Sequence, residues 1–391
     1  MHNAGKKATP ESELLIACAR VPKDQQATHR IKALVTEGVD WDLLLALAWQ
    51  HGMVPFLYLN LKSASPNGVP EEKMRQLRKL FLENHQRNIF LAGELVKLFN
   101  IFTASGISVI AYKGPTIAAL IYGNLALRRF SDLDIIVRKS DFERAKNLLV
   151  SDGYEPQLNI AAARQRDFLR VNYVQQFNRA DGRSIVELHW DVAPRNFAFH
   201  FDMNRLWDRA IEIELLGQKV LMPCPEDLLL LLCVHGTKDL WERFEWIVGV
   251  AELIRVTPSL DWQRILQEAR RTSSTRMLFL GLALSQDMLA TDLPKEIIED
   301  IRADDSVQRL LQIVKERLFS EDKLYGLGFR VPFHLKARER LSDRVRYCAR
   351  LALNTTHGDW DVLSLPPSLS FVYYFLRPFR LIKSYGRLSQ S

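Results

Sequence analysis

Ser131-Asp132-Leu133-Asp134-Ile135-Ile136-Val137 is the stretch on which the reading of this chain turns. Residues 133–137 have the composition of a strand. Side chains alternate faces in an extended strand, so Asp132 and Asp134 point one way while Leu133 and Ile135 point the other. Two carboxylates on one face can share metal ions. Magnesium takes hard oxygen ligands, commonly one or two carboxylates together with substrate phosphates. Two such ions about 4 Å apart would activate an attacking oxygen and stabilise a leaving pyrophosphate. By itself, Asp-x-Asp also fits an exposed strand end or a metal-free turn.

The segment just upstream adds weight. Residues 107–112 form a short apolar run suited to a buried strand, and Lys113-Gly114-Pro115 then turns the chain into a helix over 116–122. Backbone N–H groups at a helix start can hold phosphate, Gly114 lets the main chain come close, and Lys113 adds a point charge. An ordinary strand-to-helix turn is the competing reading. Downstream, Ser140 and Glu143 form an S-x-x-E capping box, which predicts a helix from Asp141 to about Val150, ended by Asp152 and Gly153. The order β-α-β-α with short connections is that of an α/β unit. Strands are then predicted over 171–178 and 184–190 around Asp181-Gly182, followed by a hairpin over 211–221 around Gly217.

Either side of this unit the chain reads as helical. Helices are expected over 41–49, again after Pro55, and over 71–104. From Pro225 onward helices dominate, with caps and breaks near Pro258, Asp261, Pro294 and Pro332. No repeat or low-complexity linker is evident.

The 391 residues allow two or three compact units, by the guide of about 150 residues per domain. At 47% hydrophobic and 25% charged, the composition is that of a folded globular chain. The N-terminal stretch lacks an apolar signal region, and the longest greasy run, 228–234, falls short of the roughly 20 residues a membrane span needs. The four cysteines, Cys18, Cys224, Cys233 and Cys348, form no CxxC pair and are expected to be reduced, buried cytoplasmic thiols. A formal charge of +7 favours anionic partners, whether nucleotide phosphates, nucleic acid or an anionic membrane face. Residues 371–391 carry Arg377, Arg380, Lys383 and Arg387 without an acid and are expected to form a packed helical tail, the competing reading being a segment that docks to a membrane surface or partner.

Taken together, Tyr112-Lys113-Gly114, Ile121-Tyr122-Gly123 and Arg128-Arg129-Phe130-Ser131-Asp132-Leu133-Asp134-Ile135-Ile136-Val137 closely resemble the uncharacterised nucleotidyltransferase family of bacteria, within the DNA polymerase beta-like superfamily. The likeness extends to Asp152-Gly153-Tyr154, Val186-Glu187-Leu188-His189-Trp190 and the stretch 231–246 with His235, Lys238 and Trp241. It implies that Gly114 opens a phosphate-facing helix, that Asp132 and Asp134 are the metal-binding pair, and that Glu187 is the third carboxylate. Pro115 stands where the superfamily has a small residue, which removes one N–H. The gap from Gly114 to Asp132 is also longer than the usual pattern.

Glu187 has independent support, since Ile185, Glu187 and His189 share a face of their strand and a glutamate between apolar neighbours needs a partner. That partner is a metal, an acceptor's proton, or an arginine such as Arg128 or Arg183. For His189 a hydrogen-bonded structural role is the default. Arg128 matches the family's arginine and suits either a phosphate or a carboxylate. His235 and Lys238 are three apart and share a helix face. By resemblance that face closes over the nucleotide with Lys238 near a phosphate, the competing reading being a solvent-facing lysine and a packing histidine. Trp241 and Trp246 read as core residues.

The expectation is therefore an α+β fold, an α/β-type nucleotidyltransferase core with mixed sheet, flanked by largely helical regions. Its proposed divisions are 1–105, 106–222 and 223–391. The expected activity is magnesium- or manganese-dependent transfer of a nucleotidyl group from a nucleoside triphosphate, ATP foremost, to an unidentified small-molecule, carbohydrate or protein acceptor in the cytoplasm. Asp132, Asp134 and Glu187 are the expected metal ligands, with Lys113, Gly114, Arg128 and Lys238 on the nucleotide. Two rivals accompany it: a catalytically idle binding module of the same fold, and an RNA-modifying enzyme, for which no RNA-binding motif is visible.

Overall fold

A computed structural model describes residues 9–19, 25–160, 165–320 and 326–353. The basic tail 371–391 lies outside them.

The alternation read around Asp132 ends in a strand, β2 (Leu133–Val137), at the heart of a five-stranded sheet. The other members are β1 (Val109–Ala111), β3 (Tyr154–Pro156), β4 (Val174–Arg179) and β5 (Ile185–His189), in the order β1-β2-β5-β4-β3. β1 runs antiparallel to β2, β2 parallel to β5, and β4 antiparallel to both β5 and β3. The sheet is mixed, as expected. Because β1 and β2 are antiparallel, the intervening helix Pro115–Tyr122 is no parallel crossover. A hairpin of β6 (Ile211–Leu215) and β7 (Gln218–Met222) turns at Gly217 and packs beside β1.

Four local expectations need correction. Ser140 and Glu143 make no capping box: residues Lys139–Asp141 form a 3-10 turn and the helix starts at Phe142, capped by no side chain. The strand expected over 171–178 starts only at Val174, because Gln165–Val171 is helical and buries Phe168. Pro332 breaks nothing, since it lies inside the helix Leu327–Lys336, where one lost backbone hydrogen bond is offset by the burial of Phe333. Cys348 is exposed, unlike the other three thiols.

Two hydrophobic cores hold the molecule. One joins the sheet to the second half of the 34-residue helix Glu71–Ala104, packing Leu91, Leu98 and Phe102 against Ile135, Phe177 and Leu188. The other interleaves N-terminal helices with C-terminal ones, so that Leu14, Leu44 and Leu57 share a core with Leu228, Leu253 and Leu280. At 1.5 Å per residue the long helix spans about 50 Å, and its Leu77 belongs to the second core. It thereby ties the sheet to the helical regions.

The end of the helix Pro225–Lys238 is shaped by a tight reversal. Leu240 and Trp241 both take left-handed backbone angles, φ 59° and 55°, and the Trp241 N–H donates to the Gly236 carbonyl at 2.7 Å. This folds the fully buried Trp241 indole onto Gly236, where an added Cβ would sit 2.7 Å from the ring. Gly236→Ala is therefore expected to destabilise the protein by about 1–3 kcal/mol, read as a lower denaturation midpoint. An unchanged midpoint would mean that the indole has room to move.

Candidate metal centre

The parallel pairing of β2 with β5 sets the site. Asp134 lies opposite Glu187 in register, and Ile136 opposite His189. Adjacent strands are about 4.8 Å apart, and register partners point to the same face. Two carboxylates distant in sequence thus become neighbours. Asp134, Glu187 and His189 each offer one ligand atom, and these atoms lie within 4.8 Å of one another.

His189 is the middle of this group. Its Nε2 lies 3.0 Å from Asp134 Oδ1 and 3.3 Å from Glu187 Oε2. The ring is buried between Tyr112 and Tyr173, and among the described residues its Nδ1 meets no hydrogen-bond partner. Burial lowers its proton affinity, but the bonds to Asp134 and Glu187 outweigh this and raise it above the ordinary histidine range. His189 is hydrogen-bonded, as expected, but to the candidate ligands themselves. Its shared strand face with Glu187 was the available signal.

Asp132 stands one residue before β2 and outside the tight trio. Burial, then the charges of Asp134 and Glu187, push its carboxyl up to about 6. Asp134 goes the opposite way. Burial pushes it up, yet Lys113 and His189 prevail and hold it well below the usual carboxylate range. Lys113 Nζ lies 3.8 Å from Asp134 Oδ1 and over the Tyr112 ring. Among the described residues, the ion-pair partner of Glu187 is His189, and neither Arg128 nor Arg183.

Gly114 ends the turn after β1 with φ 61°, ψ −124°, angles that a side chain resists, and Pro115 occupies the first helical position. A Cβ on Gly114 would lie 3.4 Å from the Asp132 carbonyl oxygen, so the two motif segments are in contact. Arg128 donates to the Gly114 carbonyl at 3.2 Å and so holds the turn, and among the described residues it binds no carboxylate directly. The long helix steadies that arginine in turn. Asn88 donates to the carbonyls of Leu125 and Arg128 at 2.6 Å, and Asn84 to that of Ala126 at 3.0 Å. These asparagines were missed in the sequence, where only their spacing of four on a helix marks them.

The helix Pro225–Lys238 presents His235 and Lys238 to the same region. Asp239 Oδ2 pairs with both, 3.3 Å from His235 Nδ1 and 3.2 Å from Lys238 Nζ. Lys238 also faces the Tyr173 ring. Burial, then the charges of Lys113, Lys238 and Arg128, hold His235 well below its ordinary range. Lys113, Arg128 and Lys238 are thus close enough to His235 for their charges to act on it together. The result is an acidic cluster beside a basic one. Oxygen donors of this kind suit a hard divalent cation, while the nitrogen of His189 suits a hydrogen-bond partner of those donors better than a magnesium ligand.

The fold is an α+β nucleotidyltransferase fold with helical flanks. A family model described as an uncharacterised nucleotidyltransferase matches residues 37–290, and the chain belongs to that family. The matched span contains every residue of the cluster. Among solved structures, an antigenic nucleotidyltransferase-like protein from Paracoccidioides brasiliensis is similar at 15% identity and a TM-score of 0.30, over 54% of this chain and 96% of that one. No curated protein matches. No helix among the described residues is long and apolar enough to cross a membrane.

Proposed function

We propose that this protein is a magnesium-dependent nucleotidyltransferase of the DNA polymerase beta-like superfamily. It takes a nucleoside triphosphate, ATP foremost, and an acceptor bearing a hydroxyl or phosphate oxygen. That oxygen bonds to the α-phosphorus, the bond from the α-phosphorus to the bridging oxygen breaks, and pyrophosphate leaves with the electron pair. The observation that carries this reading is the meeting of Asp134 and Glu187 in parallel register, with Asp132 against the Lys113-Gly114 turn.

Asp132 and Asp134 would hold the cation, magnesium or manganese, which supplies neutralisation of the triphosphate and of the leaving pyrophosphate. Glu187, with 30% of its side chain exposed against 7% for Asp134, completes the site and is the accessible base for the acceptor's proton. Gly114, Lys113, Arg128 and Lys238 position the phosphates. The acceptor is a small molecule, a carbohydrate or a protein. A cytoplasmic setting belongs to the same proposal and accords with four free cysteines.

One observation favours an idle binding module instead: Lys113 and His189 already neutralise Asp134, and Pro115 removes an N–H from the phosphate turn. Thermal shift with each nucleoside triphosphate, with and without magnesium, separates the readings when combined with a pyrophosphate assay. Wild type is expected to be stabilised by about 2–3 kcal/mol by the donor at 100-fold its dissociation constant, with magnesium only, and Glu187→Gln is expected to lose this. Stabilisation without pyrophosphate release, across a panel of acceptors, would favour the idle module. No magnesium-dependent shift with any triphosphate would defeat both.

A further inference from the structure

At the carboxyl ends of β2 and β5 the chain leaves the sheet, and a pocket of about 520 Å³ opens there. Arg138 stands four residues beyond Asp134 and Asp191 four beyond Glu187, which is ~13 Å along each strand. The pocket shares no lining residue with the cluster of Asp134, Glu187 and His189, although at its near end Asp191 feels the charge of His189. Its lining includes Arg138, Lys139, Arg170 and Arg195 with one acid, Asp191.

The cations here are poorly matched. Asp167 pairs with Arg170 at 3.6 Å, and Asp191 is tied by Oδ1 to the Val192 N–H at 2.7 Å. Among the described residues, Arg138, Lys139 and Arg195 pair with no carboxylate. Arg138 lies over the Trp207 ring, 4.8 Å from its centroid, and Arg195 donates to the Arg170 carbonyl at 3.3 Å. From the helix Leu341–Leu353, Arg350 reaches in to donate to the Arg195 carbonyl at 3.2 Å and to His200 Nε2 at 2.8 Å. The second bond requires a neutral His200. Burial, with Arg350, Arg346 and Arg195, keeps it so by lowering its proton affinity. Positive charge is thus gathered at one concave place with little to neutralise it.

We propose that this pocket is a second anion site, which holds the phosphate of a small phosphorylated molecule on Arg138, Lys139 and Arg195. Guanidinium groups match phosphate oxygens in bidentate geometry. The volume lies in the range of small-ligand pockets, about 300–1,000 Å³, and Trp190 and Trp207 give it an aromatic wall for the rest of the ligand. A nucleic-acid strand would call for a basic track that extends beyond one such pocket. The inference is independent of the nucleotidyltransferase reading and needs no metal.

Calorimetric titration of the full chain in EDTA tests it, with ribose 5-phosphate, ribose and inorganic phosphate as probes. Saturable binding is expected for the two phosphate-bearing probes and none for ribose. The double variant Lys139→Gln/Arg195→Gln should bind about tenfold more weakly or worse, as the loss of charge-assisted hydrogen bonds implies. Both replaced side chains are exposed, so its melting temperature should stay at the wild-type value. The control Arg75→Gln/Lys79→Gln, which removes the same two charges from the exposed face of the long helix, should bind as wild type. Absence of saturable binding by either phosphate probe overturns the proposal, as does equal affinity in the double variant. Binding of a single-stranded RNA oligonucleotide but neither phosphate probe, lost in the double variant, overturns it in favour of a polymer.

Discussion

Asp134→Asn is expected to lower pyrophosphate release from magnesium and nucleoside triphosphate by about a thousandfold, and to destabilise the protein as well. The asparagine keeps the size of the side chain but gives up the charge that faces Lys113 at 3.8 Å and His189 at 3.0 Å. In the proposed site, that charge helps to hold the cation on which neutralisation of the triphosphate depends, and losses of about two to three orders of magnitude follow from removing a single such group. The stability loss has a separate origin. Asp134 is 6% exposed, and its removal leaves a buried imidazole and a largely buried ammonium without their partner. Breaking one member of a buried pair costs about 3–5 kcal/mol, and the partial exposure of Lys113 places the expected loss near the lower end. Activity assays at a temperature well below the variant's melting point keep the two effects apart. Wild-type turnover in a folded Asp134→Asn protein would refute the catalytic assignment.

Asp132→Asn should lower activity by about a hundredfold or more and yet, without divalent cations, raise stability at neutral pH. Here the sign comes from proton linkage. Burial and the charges of Asp134 and Glu187 move this carboxyl from its ordinary 3.8 to about 6. A folded-state value above the unfolded one means that the native protein binds the extra proton between about pH 4 and 6. Stability therefore declines as pH rises through that window, and at pH 7 the ionised group costs up to ~3 kcal/mol. Asparagine cannot ionise and escapes that cost. Melting curves in EDTA from pH 4 to 8 should show wild type losing stability across the window while Asp132→Asn holds its own. Added magnesium should recover the wild type at pH 7 and leave the variant unmoved. If Asp132→Asn were less stable than wild type at pH 7, the carboxylate would already be paid for by protein partners and a cation would have no charge to relieve.

The opposite stability effects expected at two aspartates only two residues apart show what was legible in the sequence and what was not. Their common face follows from strand alternation, a local rule, and β2 spans the residues expected for it. The glycine turn, the long helix and the hairpin at Gly217 were equally local, because backbone freedom and hydrophobic period act over a few residues. The same local logic failed at Ser140 and Glu143, where a 3-10 turn replaced the capping box, and at Val171, where burial of Phe168 extended a helix into an expected strand.

The residues themselves determined the carboxylate motif, the turn before it and the helical flanks, and their resemblance to a known family implied the mixed α+β class. Tertiary structure alone decided that β5 lies parallel beside β2 with Glu187 opposite Asp134, that His189 sits between the two acids, and that Arg128 binds a carbonyl. The pairing of strands separated by about fifty residues is set by core packing and by the helices around the sheet. A one-residue slip would turn Glu187 and His189 to the opposite face, and no short-range pattern in the chain encodes that choice.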